Sequence, residues 1–164
     1  MTNEKTLKER REELQEEWKN AKLDLRAREA WIEWMRLYDW SVVGTLKFRD
    51  IGNNKWEEHK VSDAKARQTL NYYWNRIDGI FYGGRAKKHN ERILRSVVLQ
   101  RGAYQNNIHY HFIAYHPYYT AGELSQTLKE VWDRHIVESE SSGKFESVNT
   151  EFGWIGYMTH EWNI

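Results

Sequence analysis

Asn107–His116 reads NIHYHFIAYH, two histidines one residue apart inside an apolar, β-favouring run. Residues i and i+2 of a strand point to the same face, with Cα atoms about 6–7 Å apart. His109 and His111 therefore project together, while Tyr110, Phe112 and Ala114 face the other way and supply the core that fixes the strand. Two imidazoles so placed can converge on one metal ion. They can equally be two surface histidines flanking a buried aromatic. A third ligand has to come from a neighbouring strand. Gln100 ends the preceding apolar run and can meet His109 across a hairpin.

Working outward, ILRSVVLQ (93–100) and IHYHFIAY (108–115) form that hairpin around RGAYQNN. Upstream, WSVVGTLKFR from Trp40 alternates with period two. Val42, Gly44, Leu46 and Phe48 form a core face, and Val43, Thr45, Lys47 and Arg49 an outer one open to solvent or phosphate. DIGNNK supplies a turn. Ser62 and Asp63 open a helix whose buried stripe is Ala66, Leu70, Tyr73, Trp74, Ile77 and Phe81. Gly83-Gly84 ends it, with a basic loop expected over 85–92. Thr120 and Glu123 make a capping box for a third helix through LSQTLKEVWDRHI. ESESSGK reads as a polar loop and KFESVNTEF as a final strand. GWIGYMTHEWNI reads as a short terminal helix, in which Trp154, Tyr157, His160 and Glu161 share one face. Trp74 and Trp132 are assigned to packing.

Residues 3–39 read as one long charged helix with Leu7, Leu14, Trp18, Ala21, Leu25, Ile32 and Met35 at threes, fours and sevens and no Gly or Pro. Such a helix docks on the domain or pairs with another chain, and Arg11 and Arg28 on its seam argue against a committed coiled coil. The expected fold class is α+β, a mainly antiparallel central sheet with helices packed on it. The expected division is 1–39 for the helix and 40–164 for the domain.

Composition narrows the function classes. The 164 residues suffice for one domain with a real core. With 30% charged residues and a mean hydropathy of -0.92, no run approaches membrane-spanning length. The start has no apolar signal-peptide core, and the absence of Cys excludes disulfides and thiolate metal sites. A cytoplasmic protein is expected. The formal charge of +1 conceals an asymmetry: residues 1–39 carry −1, residues 40–116 carry +7 and residues 117–164 carry −5. A basic middle third suits a polyanion-binding face, or simply a solvated one.

Tyr157 has His160 one turn later. Phenols deprotonate near pH 10, so as nucleophiles they need a base, a metal or a cation close by. The strand SVVGTLKF, the strand IHYHFIAY and the terminal IGYMTHE, in that order and spacing, resemble the three motifs of HUH endonucleases. More narrowly, they are similar to rolling-circle replication initiators (Rep proteins) of phages, plasmids and small single-stranded DNA viruses. The resemblance spans residues 40 to 164. It implies a metal-dependent nickase that cuts and rejoins single-stranded or hairpin origin DNA through a 5′-phosphotyrosine on Tyr157. His160 would serve as proton acceptor or phosphate contact. It further implies a divalent ion, Mg²⁺ or Mn²⁺, on His109, His111 and Gln100. A separate helicase is the expected partner, in a prokaryotic host cell, with oligomerisation through the N-terminal helix an open possibility. DNA contacts are expected from Lys47, Arg49, Arg85, Lys87, Lys88 and Arg101.

The chain departs from that pattern at two positions. His160 stands where the family usually has lysine, and Gln100 where glutamate is common. Relaxases and single-tyrosine transposases share the same residues. An origin-binding protein that has lost catalysis, or a structural protein built around its long helix, are the readings from other classes.

Overall fold

The computed structural model describes residues 7–49, 61–101, 108–136, 139–140, 143–148 and 151–159. The chain forms two compact units. One contains the N-terminal helix; the other spans Asp39–Glu161.

In the first unit α1 (Leu7–Met35) runs for 29 residues. It stops short of the expected residue 39 because the amides of Arg36 and Leu37 turn back to Glu33 and Trp34 carbonyls three residues earlier, tightening the last turn. The expected start, residues 3–6, lies outside the described residues. Leu25, one of the periodic apolar positions of this helix, is half exposed, as is Leu23.

The second unit is α+β. Its elements are β1 (Val42–Lys47), α2 (Asp63–Tyr82), α3 (Gly84–Lys88), β2 (Leu94–Gln100), β3 (His109–Tyr115), α4 (Ala121–His135), β4 (Lys144–Ser147) and α5 (Glu151–Met158). The four strands make an antiparallel sheet in the order β2-β3-β1-β4. The turn expected at DIGNNK and residues 102–107 of the hairpin connection lie outside the described residues.

Local chemistry accounts for the boundaries. Ser62 caps α2 by accepting from the Lys65 amide, and Gly83, at φ 55°, ends it in a conformation that favours glycine. Thr120 and Glu123 form the expected reciprocal box at the start of α4. Two expectations need correction. Within residues 85–92, read as loop, Arg85–Lys88 belong to a short helix that starts at Gly84, because Ala86 is buried and the Arg92 guanidinium donates to its carbonyl. The last strand ends at Ser147, and the terminal helix begins at Glu151 rather than at the first glycine of GWIGYM.

The core lies on one face of the sheet. Val42 and Leu46 of β1 and Tyr110, Phe112 and Ala114 of β3 join Tyr73, Trp74 and Ile77 of α2 and Leu124, Leu128 and Trp132 of α4. Trp132 is fully buried, edge-on to Phe48 and Tyr73 at centroid distances of 5.5 and 5.2 Å. Gly44 lies under the Phe112 ring, where an added Cβ would meet ring carbons at 2.4 Å. Only glycine admits that approach. Asp78, wholly buried, accepts two bonds from Arg95 at 2.7 and 3.0 Å and one from the Ile93 amide at 3.1 Å. Arg95 also lies over the Trp74 ring at 4.8 Å. This pair joins α2 to β2, and removing one partner would strand a buried charge.

Candidate functional site

The opposite face of the sheet carries the histidines. Register sets His111 beside Thr45 and Val98, His109 beside Lys47 and Gln100, and Thr45 beside Lys144. These residues come from four different strands onto one face, the period-two geometry expected of β3 and β1. Thr45, Lys47, His109, His111 and Lys144, with Trp154 and Tyr157 of α5, line an open pocket of about 600 Å³.

The two imidazoles lie edge to face, 4.9 Å between centroids. His111 is buried, and its Nδ1 is 2.9 Å from the Thr45 hydroxyl. When Nδ1 carries the proton and donates to Thr45, the Nε2 lone pair becomes the ligating or basic atom. The Tyr157 ring sits 4.9 Å from the His111 ring and is half exposed to the pocket. Trp154 packs on both, and its indole N–H donates to the Phe112 carbonyl at 3.2 Å, which ties α5 to β3.

Gln100 is buried, and its side chain has two tasks. Its amide nitrogen donates to the carbonyls of Tyr157 and Met158 at 3.3 and 3.0 Å, capping the end of α5. Those bonds orient the amide so that Oε1 faces His109 Nε2 at 3.3 Å. The meeting of Gln100 with His109 across the hairpin is therefore as the count expected. Glutamine suits this position, since a carboxylate could not donate to two helix-terminal carbonyls.

The donor set suits a divalent ion. Two imidazole nitrogens and an amide oxygen are ligands that Mg²⁺, Mn²⁺ or Zn²⁺ accept. His109 Nε2 donates to Gln100 Oε1 at 3.3 Å, so an ion taking both atoms would replace that proton. Among the described residues no three His, Cys, Asp or Glu side chains gather into a metal-binding group.

The six expected DNA-binding cations are dispersed. Lys47 lines the pocket, and Arg49 is exposed just beyond the end of β1. Arg101 instead grips Asp63 with both nitrogens, at 2.8 and 2.6 Å, and this pairing holds the Asp63 carboxyl below the usual carboxylate range. Arg85, Lys87 and Lys88 belong to α3, which follows the helix on the core side of the sheet, and none lines the pocket. His160 lies outside the described residues. Lys144 was not singled out from sequence, and Thr45 was placed only on the outer face of β1 and not among the site residues. Thr45 shares its face of β1 with Lys47, a parity that could have found it. Lys144 carries no local signal, because its place depends on β4 pairing with β1.

No helix among the described residues is long and apolar enough to cross a membrane. Comparison with family models, with curated proteins and with solved structures finds no match, so the chemistry of the pocket bears the weight of any functional reading.

Proposed function

We propose that this protein nicks and rejoins single-stranded DNA through a covalent link to Tyr157, as initiators of rolling-circle replication do. One observation carries the reading: a half-exposed tyrosine packs against one histidine of a same-face pair whose other member meets a buried amide oxygen, beside two lysines. The Tyr157 oxygen attacks phosphorus, a P–O bond to tyrosine forms, and the bond to the 3′ oxygen breaks. The phenol loses its proton, and the leaving 3′ oxygen gains one. Since one phosphodiester replaces another, the 3′-hydroxyl can attack back and reseal the strand.

Each neighbour has a task in that step. Lys47 and Lys144 offer positive charge to the phosphate oxygens. Thr45 fixes the ring of His111, and Gln100 fixes the end of the helix that carries Tyr157. Trp154 limits the swing of the phenol ring. A divalent ion held by His109, His111 and Gln100 would supply Lewis-acid polarisation of the phosphate.

The test is a covalent-adduct assay on denaturing gels, with Mn²⁺ and pooled hairpin oligonucleotides of varied loop sequence. A slower-migrating, metal-dependent band is expected, lost in Tyr157→Phe and in His111→Ala. Tight hairpin binding with no adduct from any pool would favour a second reading, an origin-binding protein without nicking. Gln100 supports that alternative, because it is a neutral donor where a carboxylate would bind a cation more strongly.

A further inference from the structure

A second group of aromatic side chains gathers at the other end of β3. From His111 to His116 the strand advances five residues, about 16 Å. His116 also has the opposite parity, on the core side of the sheet. There its ring is 3% exposed and lies among Phe81, Tyr82 and Tyr119 at centroid distances of 4.9, 5.4 and 4.7 Å, with Tyr118 at 5.9 Å. Its Nδ1 accepts from the Tyr118 amide, which holds the turn into α4. The outer rings are open: Tyr118 is 86% exposed and Tyr119 41%.

Single exposed rings need no explanation. Here, however, the row of rings ends in cations. The Arg85 guanidinium lies 5.9 Å from the Tyr82 ring centre, and Lys87 and Lys88 follow on the same short helix, all three exposed. The carboxylate paired with Arg85 is Glu91 at 3.6 Å, a largely solvated contact of little strength. The helix is held in place from below, since Arg92 bridges the Ala86 carbonyl and the buried Asp78. Open aromatic faces beside a rigid basic turn suit unpaired bases on a phosphate backbone, because every base has a face to stack and each phosphate a charge to meet.

We propose that Tyr118 and Tyr119, with Arg85, Lys87 and Lys88, form a stacking platform that holds single-stranded DNA outside the pocket. The proposal rests on DNA as the substrate and adds a second contact that the pocket chemistry does not require. Phosphate charge favours DNA over another protein copy as the occupant.

The experiment measures binding of fluorescent oligo-dT to the full chain in EDTA, so that no strand is cut. Tyr118→Ala with Tyr119→Ala is expected to weaken binding about tenfold or more. Tyr118→Phe with Tyr119→Phe should retain it, because stacking survives loss of the hydroxyl. Arg85→Ala, Lys87→Ala and Lys88→Ala together should reduce the log–log salt slope by about 2. Unchanged affinity in the alanine pair overturns the proposal. So does no binding by the unaltered chain, equal weakening in the phenylalanine pair, or a change in sedimentation in place of DNA affinity. Adduct formation is scored separately at saturating hairpin. Adducts with normal oligo-dT binding by the alanine pair would sink the platform and leave nicking intact. Weakened binding without adducts from any protein would do the reverse.

Discussion

The two faces of β3 are built on different principles. Tyr110, Phe112 and Ala114 enter a core made mainly of apolar and aromatic side chains, with the Arg95–Asp78 pair at its edge beside Ala114, covered by two helices of 20 and 15 residues. His109 and His111 sit under one helix of 8 residues, held by directed contacts: Thr45 to His111, Gln100 to α5, Trp154 to Phe112. Buried area holds the first face, through a force that has no preferred direction. Hydrogen bonds hold the second, and they fix orientation more than they add stability. The proposed attack by Tyr157 would need such orientation.

The contrast is broken most directly by one truncation on each face. Phe112→Ala should cost about 3–5 kcal/mol, because a buried ring leaves a cavity that Gly44 cannot fill. Tyr157→Phe, which removes one hydroxyl from a half-exposed ring, should stay within about 0.5 kcal/mol by urea unfolding while abolishing the adduct. A comparable loss of stability in both would mean that the faces do not differ as described.

Gln100→Glu sharpens the comparison. Resemblance alone makes glutamate the better ligand. The geometry expects the opposite, since the substitution removes two donors from the end of α5 and sets a carboxylate against two carbonyls. A loss of about 1–3 kcal/mol is expected, with adduct formation slowed about tenfold, the effect usual for a misplaced ligand shell. Faster nicking in the variant would show that α5 tolerates the loss.

The smallest effect concerns His116. Burial pushes its pKa below the ordinary 6.5, so the folded ring stays neutral where the unfolded chain takes up a proton. The unfolded state then binds more protons, and stability falls as pH drops from about 6.5 toward the folded value. Melting temperatures at pH 7.5 and 5.5 should differ by less in His116→Phe than in the unaltered chain, by roughly 1–3 °C. Parallel slopes would place the proton elsewhere.

Much of this was legible from short-range pattern. Period two gave the parity of His109 and His111, and the hairpin count gave the meeting of Gln100 and His109. Caps gave the starts of α2 and α4. What escaped depends on partners distant in the chain. The stripe of α2 buries Thr69 and Asp78, with Leu70 and Phe81 only partly covered, because Arg95, 17 residues on, draws Asp78 inward. Arg101 reads as a free cation until Asp63 is found beside it, 38 positions away. Lys144 reaches the pocket through a pairing that no local preference encodes.

The register also sets an order of assembly. Gln100 and His109 are nine positions apart, whereas Thr45 and His111 are 66 apart. Closing the longer loop costs more chain entropy before any contact repays it. The hairpin half of the site is therefore expected to form early in folding and the β1 half late. Conservative truncations at Val97 and Leu99 should slow folding, whereas those at Val42 and Leu46 should mainly speed unfolding. Equal effects on both strands in a denaturant chevron would remove that order. If it holds, the thiol-free chain acquires His109 with its amide partner before His111 has the hydroxyl that sets its tautomer, and the pocket as a whole is complete only with the last strand pairing.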